Sequence, residues 1–197
     1  LSIEEQDYFE LVMKTAERAL REFMEGRPLT GKIVEIEQPD VMLWAIWAIQ
    51  QYDKHAGREK CCSMYGKLLK DIVYFILDGK HPNLEVKENG LVYTEGRDKA
   101  VTWMNSTVNG SPVVPRTGYI VEFNALWYNA LRYCACVAAD MGNHVASADM
   151  ERRADLCRAS FVGTFLNQYG YLFDYVGGET ADWSVRPNMI FAVALDY

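Results

Sequence analysis

Hydrophobic positions along the chain fall into six helical stretches, and their patterns alternate in kind. The first, about Ile3 to Glu25, opens with the capping box Ser2-x-x-Glu5 and carries Phe9, Val12, Ala16, Leu20 and Phe23 on one face. Arg27-Pro28 and Gly31 end it. The second begins at Pro39-Asp40, with proline at the first turn and a carboxylate beside the positive helix end. It continues Val41-Met42-Leu43-Trp44-Ala45-Ile46-Trp47-Ala48-Ile49, apolar on every side. Glu59 to about Leu77 is one-sided again, with Met64, Leu68, Ile72 and Phe75 on its stripe. Glu122 to Asp140 is nearly all apolar, and Ala146 to Leu166 is one-sided through Met150, Ala154, Cys157, Phe161 and Phe165. The last stretch, from Pro187, is apolar throughout.

A one-sided helix keeps one face in water, whereas a helix apolar all round must be covered all round. The alternation therefore predicts two concentric layers, amphipathic helices outside and apolar ones inside, as three outer–inner hairpins of an α/α toroid. A compact bundle is the rival arrangement, but it has no need of three fully buried helices in 197 residues. The chain starts at Leu1 without methionine and stops in the uncapped apolar run Ile190–Tyr197. We therefore expect residues 1–197 to be a single-domain fragment of a larger domain, with any upstream targeting signal outside it. An apolar face where further hairpins belong would let such a fragment self-associate.

Between Asp78 and Val121 lie about 40 residues with little helical pattern, rich in glycine, in which Leu91–Thr94 and Val101–Trp103 read as short strands. Irregular segments this long are uncommon in compact domains and are usually functional. This one carries Trp103 and Arg116 toward Glu122, at an inner-helix start. Polar residues gather at all three inner starts: Asp40, then Glu122 and Asn124, then Arg186 and Asn188. If the hairpins run in one sense, these ends meet at one mouth, where helix dipoles and unpaired N–H groups favour an oxygen-rich ligand. Capping alone is the plainer explanation for each end singly.

Composition narrows the ligand. Half the residues are hydrophobic and 13% are aromatic, ample for a packed core. The 20 basic and 27 acidic residues leave a net charge of −7 without a basic patch, which argues against nucleic acid and anionic membranes. The five cysteines form no C-x-x-C pair and sit in helix-like stretches, as reduced core thiols do. The glycosylation-like tripeptides at Asn105 and Asn109 are too common a pattern to weigh. Sugars fit what remains: a pyranose packs its C–H face on an indole and needs carboxylate, amide and guanidinium partners at its rim. Trp44, Trp103, Trp127, Tyr128 and Trp183 supply the first, with Trp103 and Trp183 the better platforms because both lie beside loops. Asp40, Glu95, Asp98, Arg116, Glu122, Asn124, Asp174, Asp182, Arg186 and Asn188 supply the second.

Four segments carry a family resemblance: Pro39–Trp44, Thr102-Trp103-Met104-Asn105, the long block Pro112–Leu131, and Ser184-Val185-Arg186-Pro187-Asn188. In them, and in this order, the chain resembles the glucosidase domain of glycogen debranching enzymes. The resemblance implies an all-α, six-hairpin (α/α)6 toroid, here partial, that hydrolyses α-1,6-linked glucose at branch points of glycogen-like glucans. It also implies a cytoplasmic glycoside hydrolase with no metal and no organic cofactor. The family's Thr-Trp-Met-Asp, whose aspartate is the expected general acid, reads Thr-Trp-Met-Asn here, and Asn105 has no suitable proton to give. The family's general base is expected beyond Tyr197, so the fragment by itself is expected to be inactive. Glu122, Glu95 and Asp98 are the nearest substitute acids, and Glu122 is preferred because a helix start fixes it, although the dipole there lowers a carboxylate's pKa. The alternative is a carbohydrate-binding pseudoenzyme that keeps the cleft and lacks the acid.

Overall fold

The computed structural model describes the chain from residue 3 to residue 197, and helices dominate it. Helix α1 spans Ile3–Met24, α2 Val41–Ala56, α3 Arg58–Leu77, α4 Val121–Asp140 and α5 His144–Phe165. These bounds follow the hydrophobic periodicity closely. The expected capping box involves Ser2, which lies outside the described residues.

The buried stripe of α1 runs Phe9, Met13, Ala16, Leu20, Phe23, stepping by four and three residues. Val12, expected on that stripe, is 67% exposed, because it falls on the edge of this spacing and Met13 takes the place one turn from Phe9. Helix α3 buries Cys61, Tyr65, Leu68, Ile72 and Ile76, and turns Lys67 and Lys70 outward. Helix α5 buries Met150, Ala154, Cys157 and Phe165. Helix α4 is the most enclosed, with burial on every side from Val121 to Ala138.

Two polar contacts fix how α2 and α4 run. Gln50 and Asn129 exchange amide hydrogen bonds of 3.3 and 2.6 Å midway along α2 and α4. About one turn further, the Tyr133 hydroxyl donates to Asp53 at 3.2 Å. The helices are therefore parallel and nearly in register. Arg58, at the start of α3, closes the far end by reaching Asp53 at 2.7 Å and Asp140 at 2.9 Å. Helix α3 packs against both α2 and α4, and α5 packs against α4. At this end the connections are minimal: Gly57 alone, with φ of 91°, joins α2 to α3, and residues 141–143 join α4 to α5. Asn143 caps α5 by accepting from Ala146 N at 3.2 Å.

The opposite end carries the long connections. Strand β1 (Glu85–Val86) pairs with β2 (Val92–Tyr93), and β3 (Thr107–Val108) with β4 (Ser111–Pro112), all antiparallel. Strand β5 (Tyr119–Ile120) leads directly into α4 and pairs with β6 (Tyr175–Gly177), which pairs with β7 (Thr180–Ala181). The strand expected at Val101–Trp103 is absent. The Thr102 hydroxyl instead accepts from Met104 N at 3.1 Å, a local turn that competes with strand pairing.

Two expectations of complete burial are corrected. The sixth stretch forms a 3-10 turn, Pro187–Ile190, and one α-helical turn, α6 (Phe191–Ala194), with Ile190 and Val193 largely in solvent. Helix α2 buries Met42, Leu43, Ile46 and Ile49, while Trp44, Ala45, Trp47 and Ala48 on its other side are half-buried. On that side Phe191 covers Trp44, with ring centroids 5.3 Å apart, and so short an α6 leaves the rest partly open. The five cysteines are free thiols, buried at Cys61, Cys134 and Cys157 and half-buried at Cys62 and Cys136. No helix among the described residues is long and apolar enough to cross a membrane.

Candidate functional site

The start of α4 is built around one arginine. Arg116 donates Nη1 to Glu122 Oε1 at 2.5 Å and Nη2 to Glu122 Oε2 at 2.6 Å. Its Nε reaches Asp174 Oδ2 at 2.8 Å, and Nη2 reaches Asp174 Oδ1 at 3.0 Å. The local sequence explains the fit. Strand β5 turns into α4 without a loop, so Glu122 lies in the first helical turn, where the positive helix end favours a carboxylate. Antiparallel pairing of Ile120 with Tyr175 brings Asp174 alongside, and its carbonyl takes the N–H of Val121 at 3.1 Å. One residue thus caps the helix with its backbone and holds Arg116 with its side chain.

Asp174 also collects the residues at the start of the Pro187–Ile190 turn. Arg186 Nη1 donates to Asp174 Oδ2 at 2.7 Å and to Asp182 Oδ2 at 2.9 Å. Asn188 Nδ2 donates to Asp174 Oδ1 at 3.2 Å and lies 3.4 Å from the sulfur of Met104. Six expected residues, Arg116, Glu122, Asp174, Asp182, Arg186 and Asn188, therefore form one network. Met104 brings the Trp103–Asn105 segment against it. Trp103 and Asn105 are exposed. No periodicity in the sequence marks the Met104 contact.

The electrostatics follow from burial. Burial works against the Arg116 charge, and the hydrogen bonds and charges of Glu122 and Asp174 more than restore it, so the guanidinium titrates above its usual range. Burial pushes the Glu122 carboxyl up, and Arg116 opposes it. With both oxygens on Arg116 and no solvent exposure, Glu122 offers no proton to a ligand, which corrects its expected place as substitute acid. Asp182 is partly desolvated, but hydrogen bonds from Ser184 and Arg186 hold its carboxyl below the ordinary range.

Asn124 and Trp127 are also corrected. Asn124 Oδ1 accepts from Val92 N at 2.7 Å, and its Nδ2 donates to the carbonyls of Val92 and Ile120, each at 3.0 Å. Trp127 Nε1 donates to the Gly90 carbonyl at 3.2 Å. Both are fully buried and present no face to a sugar; they pin the β1–β2 hairpin to α4. The loop backbone needs partners once buried, and these side chains supply them.

Asp40 and Trp44 lie at the start of α2, at the same end as Glu122 because α2 and α4 are parallel. Trp44 Nε1 donates to Asp40 Oδ2 at 3.2 Å. Burial raises the affinity of Asp40 for a proton, and the Trp44 bond pulls it back part of the way. No cation lies within ion-pair distance of Asp40 among the described residues. Tyr128 is half-buried on the wall of an apolar cavity of about 560 Å³ shared with Phe161, Phe191 and Leu195. Trp183 is exposed in the loop before Arg186. Glu95 and Asp98 stand apart, exposed on a different cavity of about 550 Å³ lined by His81, Asn83 and Tyr93. No cluster of potential metal ligands occurs among the described residues.

Residues 31–197 match the family described as amylo-alpha-1,6-glucosidase. Among curated proteins, none matches the chain.

Proposed function

The chain belongs to the amylo-alpha-1,6-glucosidase family, and from that premise we propose that it forms the sugar-holding sector of a glycoside hydrolase acting on α-1,6-linked glucose at branch points of glycogen-like glucans. The carrying observation is the single network that ties the α4 start, through Arg116, Glu122 and Asp174, to Arg186 and Asn188, with the Trp103–Asn105 segment against it. In this reading α1, α3 and α5 are outer helices, and α2, α4 and α6 are inner helices of one sector of an α/α toroid in the cytoplasm. Asp40, Trp44, Trp103 and Arg186 contact the glucosyl unit, Trp103 through its ring face and Asp40 and Arg186 through hydroxyls. Arg116, Glu122 and Asp174 position these groups and touch no sugar.

Hydrolysis requires one carboxylic acid to protonate the departing oxygen and a second carboxylate to attack or to activate water. Position 105 holds an amide, and Glu122 is bound to Arg116, so this chain by itself is expected to bind without turnover. The test is glucose release from a branched glucan by the full-length protein, beside an Asn105→Asp variant. Release by the natural protein supports a hydrolase that obtains its acid elsewhere. No release by either protein, with native circular dichroism, removes the hydrolase reading.

Asn105 favours a second reading, a binding protein that retains the cleft. It predicts oligosaccharide binding without release in the natural protein, and hydrolysis that appears or rises in Asn105→Asp. Unchanged binding and turnover in that variant would remove the ground for it.

A further inference from the structure

Helix α1 carries more apolar surface than its packing uses. Its buried stripe, Phe9, Met13, Ala16, Leu20 and Phe23, meets the body of the protein. A second row, Tyr8, Leu11, Val12 and Thr15, follows the i, i+3, i+4, i+7 spacing of one helix face and stands in solvent. Tyr8 is 70% exposed, Leu11 62% and Val12 67%. Single exposed apolar residues are ordinary, but a contiguous group at helical spacing marks a contact surface. Charge on the same helix is sorted by end. Glu10 is taken by Lys60, Glu17 by Arg21, and Glu22 by the Thr30 hydroxyl. Asp7, before the centre of the row, and Lys14 and Arg18, after it, are exposed and have no ion-pair partner among the described residues. With Leu11 they step by four, three and four residues, one line along the flank of the apolar group.

We propose that α1 pairs antiparallel with α1 of a second copy of this chain, through Tyr8, Leu11 and Val12. Such a pairing turns about a twofold axis near Leu11, so one patch serves both copies and the contact closes as a dimer. It buries the two apolar groups against each other and sets Asp7 of each copy alongside Lys14 and Arg18 of the other. Charge selects this sense of pairing. A parallel arrangement would oppose Asp7 to Asp7 and the cations to cations, at a cost that the antiparallel one avoids. Helix α1 precedes residues 31–197, which carry the family match, so the surface is independent of the glucan reading.

The experiment is sedimentation velocity of the full-length protein over a range of concentrations, beside variants on the exposed row. The natural protein should pass from monomer to dimer as its concentration rises, and added salt should weaken that dimer. Leu11→Glu, a change in solvent checked for native helicity by circular dichroism, should raise the dimer Kd at least about tenfold. Asp7→Lys should also weaken the dimer, and adding Lys14→Glu and Arg18→Glu to it should restore the affinity, because only the antiparallel pairing opposes these positions. A monomer at every concentration overturns the proposal, as does a dimer indifferent to Leu11→Glu. A loss in Asp7→Lys that the triple variant does not recover overturns the antiparallel pairing.

Discussion

Arg116 holds both oxygens of Glu122, six residues downstream, and each side chain is only 1% exposed. A buried ion pair adds little net stability, but removing one partner strands the other charge at a cost of about 3–5 kcal/mol. We expect Arg116→Met, which leaves Glu122 without its cation, to lower the unfolding free energy by about that amount in urea titrations, and Glu122→Gln, which leaves Arg116 paired with Asp174, to cost less. Unchanged midpoints would mean that the pair does not exist in the folded protein.

Gln50 and Asn129 satisfy each other inside the α2–α4 seam. Asn129→Ala leaves the Gln50 amide buried and unpaired, and should cost about 1–3 kcal/mol. Replacing both with leucine removes the need for a partner and should recover most of that loss. A double-mutant cycle measures the coupling, and strict additivity would contradict the pairing.

His81 gives stability a pH dependence. Burial lowers its pKa from 6.5 to about 4, with Glu37 opposing, and Nδ1 accepts from Asn83 N at 3.1 Å. A depressed pKa means that the unfolded chain takes the proton first. The contribution is whole above pH 6.5 and is lost as pH falls toward 4, a span worth about 3 kcal/mol. Urea midpoints should therefore fall between pH 7 and pH 4.5, and His81→Phe should flatten that fall. Equal slopes in the two proteins would show that His81 is not the group responsible.

Gly118 has φ of 93°, and a Cβ there would lie 2.2 Å from the Val176 carbonyl oxygen. Gly118→Ala must open the β5–β6 pairing that brings Asp174 to Arg116. We expect a loss of at least about 2 kcal/mol and weaker oligosaccharide binding, read by urea titration and calorimetry. A variant as stable as the natural protein would show that the pairing tolerates a side chain there.

The five long helices were legible because burial writes its period into the sequence, as at Met150, Ala154 and Cys157 on α5. Grouping Asp40, Glu122, Arg186 and Asn188 by helix start also placed them at one end, since a helix start is a local property. Roles were less legible. Glu122 and Asn124 read as ligands of a sugar, but Glu122 is occupied by Arg116 and Asn124 by the Val92 backbone. Such partners come from loops folding across large sequence distance, which no local pattern records. Val12 and the short α6 were missed for another reason: apolar character says that a residue prefers burial, not that something arrives to bury it.

Gly57 and the turn at residues 141–143 leave no spare chain between paired helices, whereas every connection on the other rim is long. One rim is stitched closed by Arg58, and the other holds all the slack. An inserted residue at Gly57 would have to rotate α2 against α3, but one between Val108 and Ser111 would only lengthen a hairpin tip. Loop length can therefore change on the open rim while the stitched rim holds the helices in step.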